Sequence, residues 1–194
     1  MAGRVFLLRH GETEWSRSGK HTGRTDVPLT ERGRERAAAT GHHGRRLLDG
    51  PPALVLSSPR SRARDTAELA GLRVDRTDER LGEWDYGECE GRTTPEIRET
   101  VPGWTVWTHP CPGGETPEQV TTRADAVLAE AADVLERGDV VLVGHGHFSR
   151  VLVARWIGLP AVEGVRFRME AATWSVLGHE RGVPRIDGLG LEPG

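Results

Sequence analysis

Short apolar runs alternate with longer amphipathic stretches along this chain, which reads as strand and helix in turn. Arg4–Leu8 is the first apolar run and predicts a buried strand. Thr30 then stands as an N-cap, and Gly33, Ala37, Gly41 and Gly44 place small residues at helical spacing, a stripe that lets a helix lie close to a sheet. Ala53–Ser57 is a second β-compatible run. Ser58-Pro59 predicts the opening of another helix, with Ala63, Thr66, Ala67 and Ala70 as its inner face. Leu72–Val74 predicts a short third strand. From Thr77 to Glu115 the periodicity dissolves into Gly, Pro, Trp and charge. It returns at Thr116-Pro117-Glu118-Gln119, a capping box with Pro at the first helical position. Val120, Ala124, Val127, Leu128, Ala131, Val134 and Leu135 trace one face of that helix, and Gly138 is placed to stop it. Asp139–Val143 is the clearest strand, Phe148–Ile157 a helix, and Thr173–Leu177 a final strand.

This order predicts an α/β fold, a three-layer sandwich with a mostly parallel central sheet flanked by helices. A chain of 194 residues suits one domain, residues 1–194, without internal repeats. A loop region as long as 77–116 is expected to be functional or to cap the substrate. The net charge of −3 is too mild to argue for a nucleic-acid or membrane partner. No apolar stretch approaches the ~20 residues that span a bilayer. Val5–Leu8 is stopped at once by Arg9, unlike a secretory leader, so a cytoplasmic location is expected. Cys89 and Cys111 form no Cys-x-x-Cys pair. Neither a metal site nor a disulfide between them is expected in a reducing compartment.

The candidate chemistry sits where apolar runs end. Arg9-His10 and His145 each follow a strand immediately, and in a parallel sheet such ends share the edge where ligands bind. Ser58-Pro59-Arg60-Ser61-Arg62 is a third strand-to-helix junction, and its arginines favour a bound anion. Histidine at such an edge serves as base, metal ligand or nucleophile. Convergence of two histidines and two or more arginines predicts an oxyanion site, above all one for phosphate.

Several motifs, in order, resemble the histidine phosphatase superfamily, whose relatives include cofactor-dependent phosphoglycerate mutases. They are Arg9-His10-Gly11-Glu12-Thr13, Thr22-Gly23 with Pro28-Leu29-Thr30, and Ser57-Ser58-Pro59-Arg60-Ser61-Arg62-Ala63-Arg64-Asp65-Thr66. Leu81-Gly82-Glu83-Trp84-Asp85-Tyr86-Gly87, Gly114-Glu115-Thr116 and Gly144-His145-Gly146-His147 complete the set. The details around Glu83 and His145 look most like the small acid-phosphatase and sugar-phosphatase members. The resemblance implies a phosphoglycerate mutase-like fold and hydrolysis of small phosphate monoesters by attack of His10 on phosphorus. Arg9, Arg62 and His145 would surround the transferring oxygens, and Glu83 would protonate the leaving oxygen and then deprotonate water. Ser16, Thr22, Gly23, Tyr86, Gly146 and His147 would contact substrate, although His147 could equally cap the following helix. No cofactor or metal is implied, because arginine and histidine supply the positive charge. The partner is a small phosphorylated metabolite, and a homodimer is left open. An acidic optimum is expected from the need to keep Glu83 or His145 protonated.

Mutase members carry an arginine where this chain has Trp84, a lysine where alignment puts Thr94, and an asparagine where Ser16 stands. Missing cations favour release of the phosphoryl group to water over its retention. The rival readings are a mutase and a non-catalytic module that binds phosphate esters. Arg60 and Arg64 are expected to face solvent or act as secondary phosphate contacts, and His42 and His43 to lie at the surface. Trp84, Trp104 and Trp107 either cover the pocket or pack a large loop.

Overall fold

Alternate side chains of β1 (Val5–Arg9) enter two different cores. Val5 and Leu7 pack on one face of the sheet, while Phe6 and Leu8 pack on the other. The computed structural model describes residues 3–192. After β1 come α1 (Glu14–Ser18), α2 (Glu31–Leu47), β2 (Leu54–Ser57), α3 (Ser61–Leu69), β3 (Arg76–Thr77) and α4 (Thr94–Arg98). The chain continues through α5 (Pro117–Ala132), β4 (Val140–Gly144), α6 (Gly146–Trp156), β5 (Trp174–Glu180) and β6 (Val183–Leu191). Among the described residues the strands form one sheet in the order β3-β2-β4-β1-β5-β6. Helices α5 and α6 bury Val120, Ala124, Phe148 and Val151 in the first core, and α3 buries Ala63 and Ala67 in the second. The result is the expected three-layer α/β arrangement.

Two boundaries and the far edge of the sheet differ from those read in the sequence. β3 falls at Arg76–Thr77 instead of Leu72–Val74. The Asp75 carboxylate accepts the Val55 N–H at 2.8 Å, so a side chain takes the place of a strand partner until the next residue. α3 begins at Ser61 rather than at Ser58-Pro59, because the Asp26 carboxylate caps it from another loop through the Ser61 N–H and hydroxyl, both at 2.9 Å. The sheet is parallel only from β3 to β1; β5 and β6 run antiparallel, and β6 was not foreseen. Its sequence, interrupted by Pro184, Gly188 and Gly190, carries little apolar alternation, and its Val183, Pro184 and Arg185 are exposed.

The small-residue stripe of α2 does what its spacing suggested, against specific neighbours. A Cβ at Gly44 would lie 2.5 Å from the Trp174 ring, and one at Gly41 would lie 2.4 Å from the Ala70 carbonyl oxygen. The segment between β3 and α5 is not a detached lid. Trp84, Trp104 and Trp107 are buried and extend the first core, with Trp84 and Trp107 edge to face. Packing, the second of the two alternatives for these tryptophans, is what they do.

Candidate active site

Strand register assembles the site. Arg9 pairs with Gly144 and Ser57 with Val143, so β1, β4 and β2 end together and deliver His10, His145 and Ser58 to one edge. The His10 N–H donates to the Gly144 carbonyl at 2.9 Å, and the two imidazoles stand 5.2 Å apart, edge to face. His10 Nδ1 lies 2.6 Å from the Gly11 carbonyl oxygen. A carbonyl only accepts, so Nδ1 carries the proton and Nε2 keeps its lone pair. Burial, with Arg62 and then Arg9 alongside, holds this imidazole well below its ordinary value. His10 is therefore neutral and nucleophilic at Nε2.

His145 has the opposite tautomer. Arg62 Nε donates to His145 Nδ1 at 3.2 Å, which leaves the proton on Nε2, 2.8 Å from Ser58 Oγ. Burial, then Arg62 and His10, push its value well down as well. Of the two groups invoked for an acidic optimum, His145 is thus not one that stays protonated. Arg62 is fully buried. Its remaining donors reach the carbonyls of Thr25 (2.8 Å), Thr22 (3.2 Å) and Gly23 (3.0 Å). The N–H groups of Gly23, Arg24 and Thr25 in turn donate to the Glu90 carboxylate. This loop is held from both sides.

A cavity of about 180 Å³ opens over His10. Arg9, Glu83, Ser16, Thr22, Tyr86, Gly146 and His147 line it. Arg62, His145 and Gly23 are outside that lining: Arg62 and His145 are fully buried and hydrogen-bonded to each other, with the His145 ring 5.2 Å from that of His10, and Gly23 takes part through its carbonyl bond to Arg62. Arg9 Nε is buried without a hydrogen-bond partner, a donor left available to an oxyanion. Gly146 makes room for it, since a Cβ there would lie 3.2 Å from the Arg9 guanidinium. Ser16 also closes the capping box of α1 with Thr13.

Glu83 reaches the same cavity, with its carboxylate over the amino end of α6. It accepts the N–H groups of Phe148 (2.7 Å), His147 (3.0 Å) and Trp84 (2.9 Å). Arg123 fixes the backbone beneath, bonding the carbonyls of Gly82 and Glu83 while paired with Glu115. Tyr86 and His147 meet at 2.6 Å between Oη and Nδ1, so His147 faces the cavity by its side chain and holds Glu83 by its backbone. Burial keeps the Tyr86 phenol well above its ordinary value, and burial with Arg150 keeps His147 well below.

Sequence reasoning missed Lys20, His21, Arg150 and Met169, which also line the cavity. Arg150 stands one helical turn beyond His147, a spacing that places it on the same face; Lys20 and His21 carry only their nearness to Thr22-Gly23 as a signal. His21, lowered to about 4 by burial, bonds Thr94 Oγ1 at 3.2 Å. Arg60 pairs with Glu79, and Arg64 is exposed. His42 is exposed and His43 half-buried. Among the described residues no group of three or more His, Cys, Asp or Glu is placed to hold a metal ion.

Cys89 and Cys111 form a disulfide, contrary to the expectation of two separate thiols. The loop folds back so that the Glu88 N–H meets the Pro112 carbonyl at 2.9 Å, and the two Cα atoms come within 5.9 Å. The bond closes a span of 22 residues next to Glu90. Reduction is expected to lower stability by about 3 kcal/mol, read as a drop in the urea midpoint. An unchanged midpoint, with two thiols titrating in the untreated protein, would show that the cysteines are free.

The buried histidines also set a pH dependence of stability. His10, His145 and His147 titrate lower in the folded than in the unfolded chain, where the ordinary value is about 6.5. Below that pH the unfolded chain binds more protons, so stability is full above about 6.5 and is lost as pH falls through it. Thermal melts from pH 7.5 to 5 should show a steady fall in Tm. A constant or rising Tm would mean that these imidazoles are protonated in the fold.

Comparison with known proteins bears on the same site. The profile of the Histidine phosphatase superfamily (branch 1) matches residues 5–192. An acid phosphatase of Mycobacterium tuberculosis is 51% identical over 189 residues, covering 97% of this chain and 92% of the relative. A sedoheptulose 1,7-bisphosphatase of Saccharomyces cerevisiae is 34% identical, covering 80% of this chain and 68% of that protein. Among solved structures, a mycobacterial glucosyl-3-phosphoglycerate phosphatase in complex with VO3 superposes with a TM-score of 0.84 at 32% identity, covering 98% of this chain and 100% of that one.

Proposed function

This chain belongs to the histidine phosphatase superfamily and is a phosphatase, and we propose that it hydrolyses small phosphate monoesters, sugar phosphates among them, through a phosphohistidine on His10. The observation that carries this is the Nδ1–H bond of His10 to the Gly11 carbonyl. It leaves a neutral Nε2 at the floor of a cavity beside the unpartnered Arg9 Nε. Nε2 attacks phosphorus as the bond to the leaving oxygen breaks. Glu83 gives that oxygen its proton, Arg9 meets the charge on the transferring oxygens, and Arg62 holds His145 and the loop behind them. Water then attacks phosphorus, Glu83 takes the proton, and the N–P bond breaks.

The chain works as one domain in this reading, with residues 77–116 shaping the cavity wall. Its partner is a small phosphorylated metabolite rather than nucleic acid. Mutase activity is disfavoured, because Trp84 is buried in the core and the Thr94 hydroxyl is engaged by His21. A cytoplasmic location belongs to the same proposal. No described helix is long and apolar enough to cross a membrane, and the disulfide is the one feature that a reducing compartment opposes.

The test is hydrolysis of p-nitrophenyl phosphate without added metal, together with a rapid quench on a labelled ester. Label on the protein should survive alkali and be lost in acid, as a phosphoramidate requires. Glu83→Gln should slow hydrolysis of alkyl esters by about 10²–10⁴-fold. It should affect p-nitrophenyl phosphate less, since that leaving group needs little proton assistance. Turnover with no protein-bound label, or equal losses on both esters, would refute the assigned roles.

A further inference from the structure

We propose that Lys20 and Arg150 form a second anion subsite in the substrate cavity, so that the preferred esters carry a second anionic group, a carboxylate or a second phosphate. The inference rests on the phosphatase reading above and specifies its substrate class. Three side chains with fixed positive charge line the cavity: Arg9, Lys20 and Arg150. The one carboxylate lining it is Glu83, and its oxygens already accept three backbone N–H groups. A single phosphate over His10 is met by Arg9, with the buried Arg62 also acting on His10. That leaves two cations on the same cavity in no ion pair of the described residues, with Glu83 near Arg150 and Glu96 near Lys20 as the carboxylates acting on them from a distance.

Neither cation is neutralised by the protein among the described residues. Lys20, the one lysine of the chain, has its ammonium 5.9 Å from the Trp15 ring and forms no ion pair. Its backbone is fixed by the bridge to Thr93 and by its N–H bond to the Trp15 carbonyl at 2.9 Å. Arg150 donates from Nε and Nη2 to the carbonyls of Gly164 and Val165, at 2.9 and 2.8 Å, and lies 4.7 Å over the Trp107 ring. Those bonds orient the guanidinium without cancelling its charge, and Nη1 remains for a ligand. Most ion pairs among the described residues have an exposed partner, and the net charge is −3, so a cationic pair outside any ion pair in a cavity is a local departure. Unpaired cations on a concave wall beside the reactive group discriminate by charge.

Binding is the direct readout, and it does not depend on turnover. Calorimetric titration of the His10→Ala protein would compare 3-phosphoglycerate with glycerol 3-phosphate, which lacks the carboxylate. A second pair is fructose 1,6-bisphosphate against fructose 1-phosphate, which lacks the second phosphate. A charge-assisted contact predicts about tenfold tighter binding of the doubly anionic member in at least one pair, and the pair that responds identifies the group. Adding Lys20→Met should collapse that ratio toward one, and Lys20→Arg should keep it. Arg150→Met should lower the same ratio, and a thermal melt of each variant separates loss of the subsite from loss of the fold; a ratio that Arg150→Met leaves intact would remove Arg150 from the subsite. Ratios near one in both pairs, or a ratio that Lys20→Met leaves intact, would overturn the subsite. Failure of the phosphatase reading would appear separately, as His10-independent hydrolysis of p-nitrophenyl phosphate.

Discussion

Replacing His10 with alanine is expected to reduce phosphatase turnover by about 10⁴-fold or more while leaving the fold intact. The imidazole keeps its Nε2 lone pair because the Gly11 carbonyl fixes its tautomer, whereas the neutral imidazoles of His21 and His147 on the same cavity are engaged with Thr94 and Tyr86. No neighbour can stand in for it. His145 Nδ1 is taken by Arg62 and its Nε2 carries a proton, so it has no free lone pair to offer. The fold should tolerate the change, because backbone bonds hold the position. The His10 N–H still donates to Gly144, and strand register is untouched. Removing an imidazole that sits between Arg62 and Arg9 also takes away no ion pair. Progress curves with p-nitrophenyl phosphate, together with a thermal melt, check both halves. Activity within tenfold of wild type in a folded His10→Ala protein would eliminate the phosphohistidine route.

Arg62→Met is expected to damage both stability and activity. The side chain is fully buried, yet each group it faces is polar: three loop carbonyls and one imidazole nitrogen. Methionine fills much of the volume and satisfies none of them. Leaving such a set unpaired should destabilise the protein by about 3–5 kcal/mol, as for a buried charge network that loses one partner. The loop from Thr22 to Thr25 would keep only its Glu90 side, and His145 would lose the bond that selects its tautomer. Activity should fall by at least about 10²-fold in whatever fraction stays folded. Arg62→Lys should rescue little, because one ammonium cannot span four acceptors that a planar guanidinium reaches at once. Urea unfolding and kcat measured on the same preparations would test this. Full stability in Arg62→Met would mean that water or rearrangement satisfies those groups.

The disulfide shows where compartment-based reasoning fails. Cysteine spacing carries no information about a loop that turns back on itself, and the turn here is set by backbone contacts between Gly87 and Pro112–Gly114. The same holds for Glu90. No motif or spacing marks it, yet it anchors three N–H groups of the loop that Arg62 grips.

Local pattern determined the strand at Val5, the capped helices at Thr30 and Thr116, the strand before His145, and the convergence of Arg9, His10 and His145 on one edge. These features rest on periodicity, caps and strand ends, which act over a few residues. The resemblance carried by ordered motifs supplied Arg62 and Glu83. Tertiary structure alone decided the rest. It buried Arg62 and His145 fully next to the nucleophile, chose opposite tautomers for the two histidines, and turned the Glu83 carboxylate onto the amino end of α6. It also drew Lys20 and Arg150 into one cavity. Hydrogen-bond partners and the sharing of a cavity depend on which distant segments pack together, and no short-range pattern encodes that.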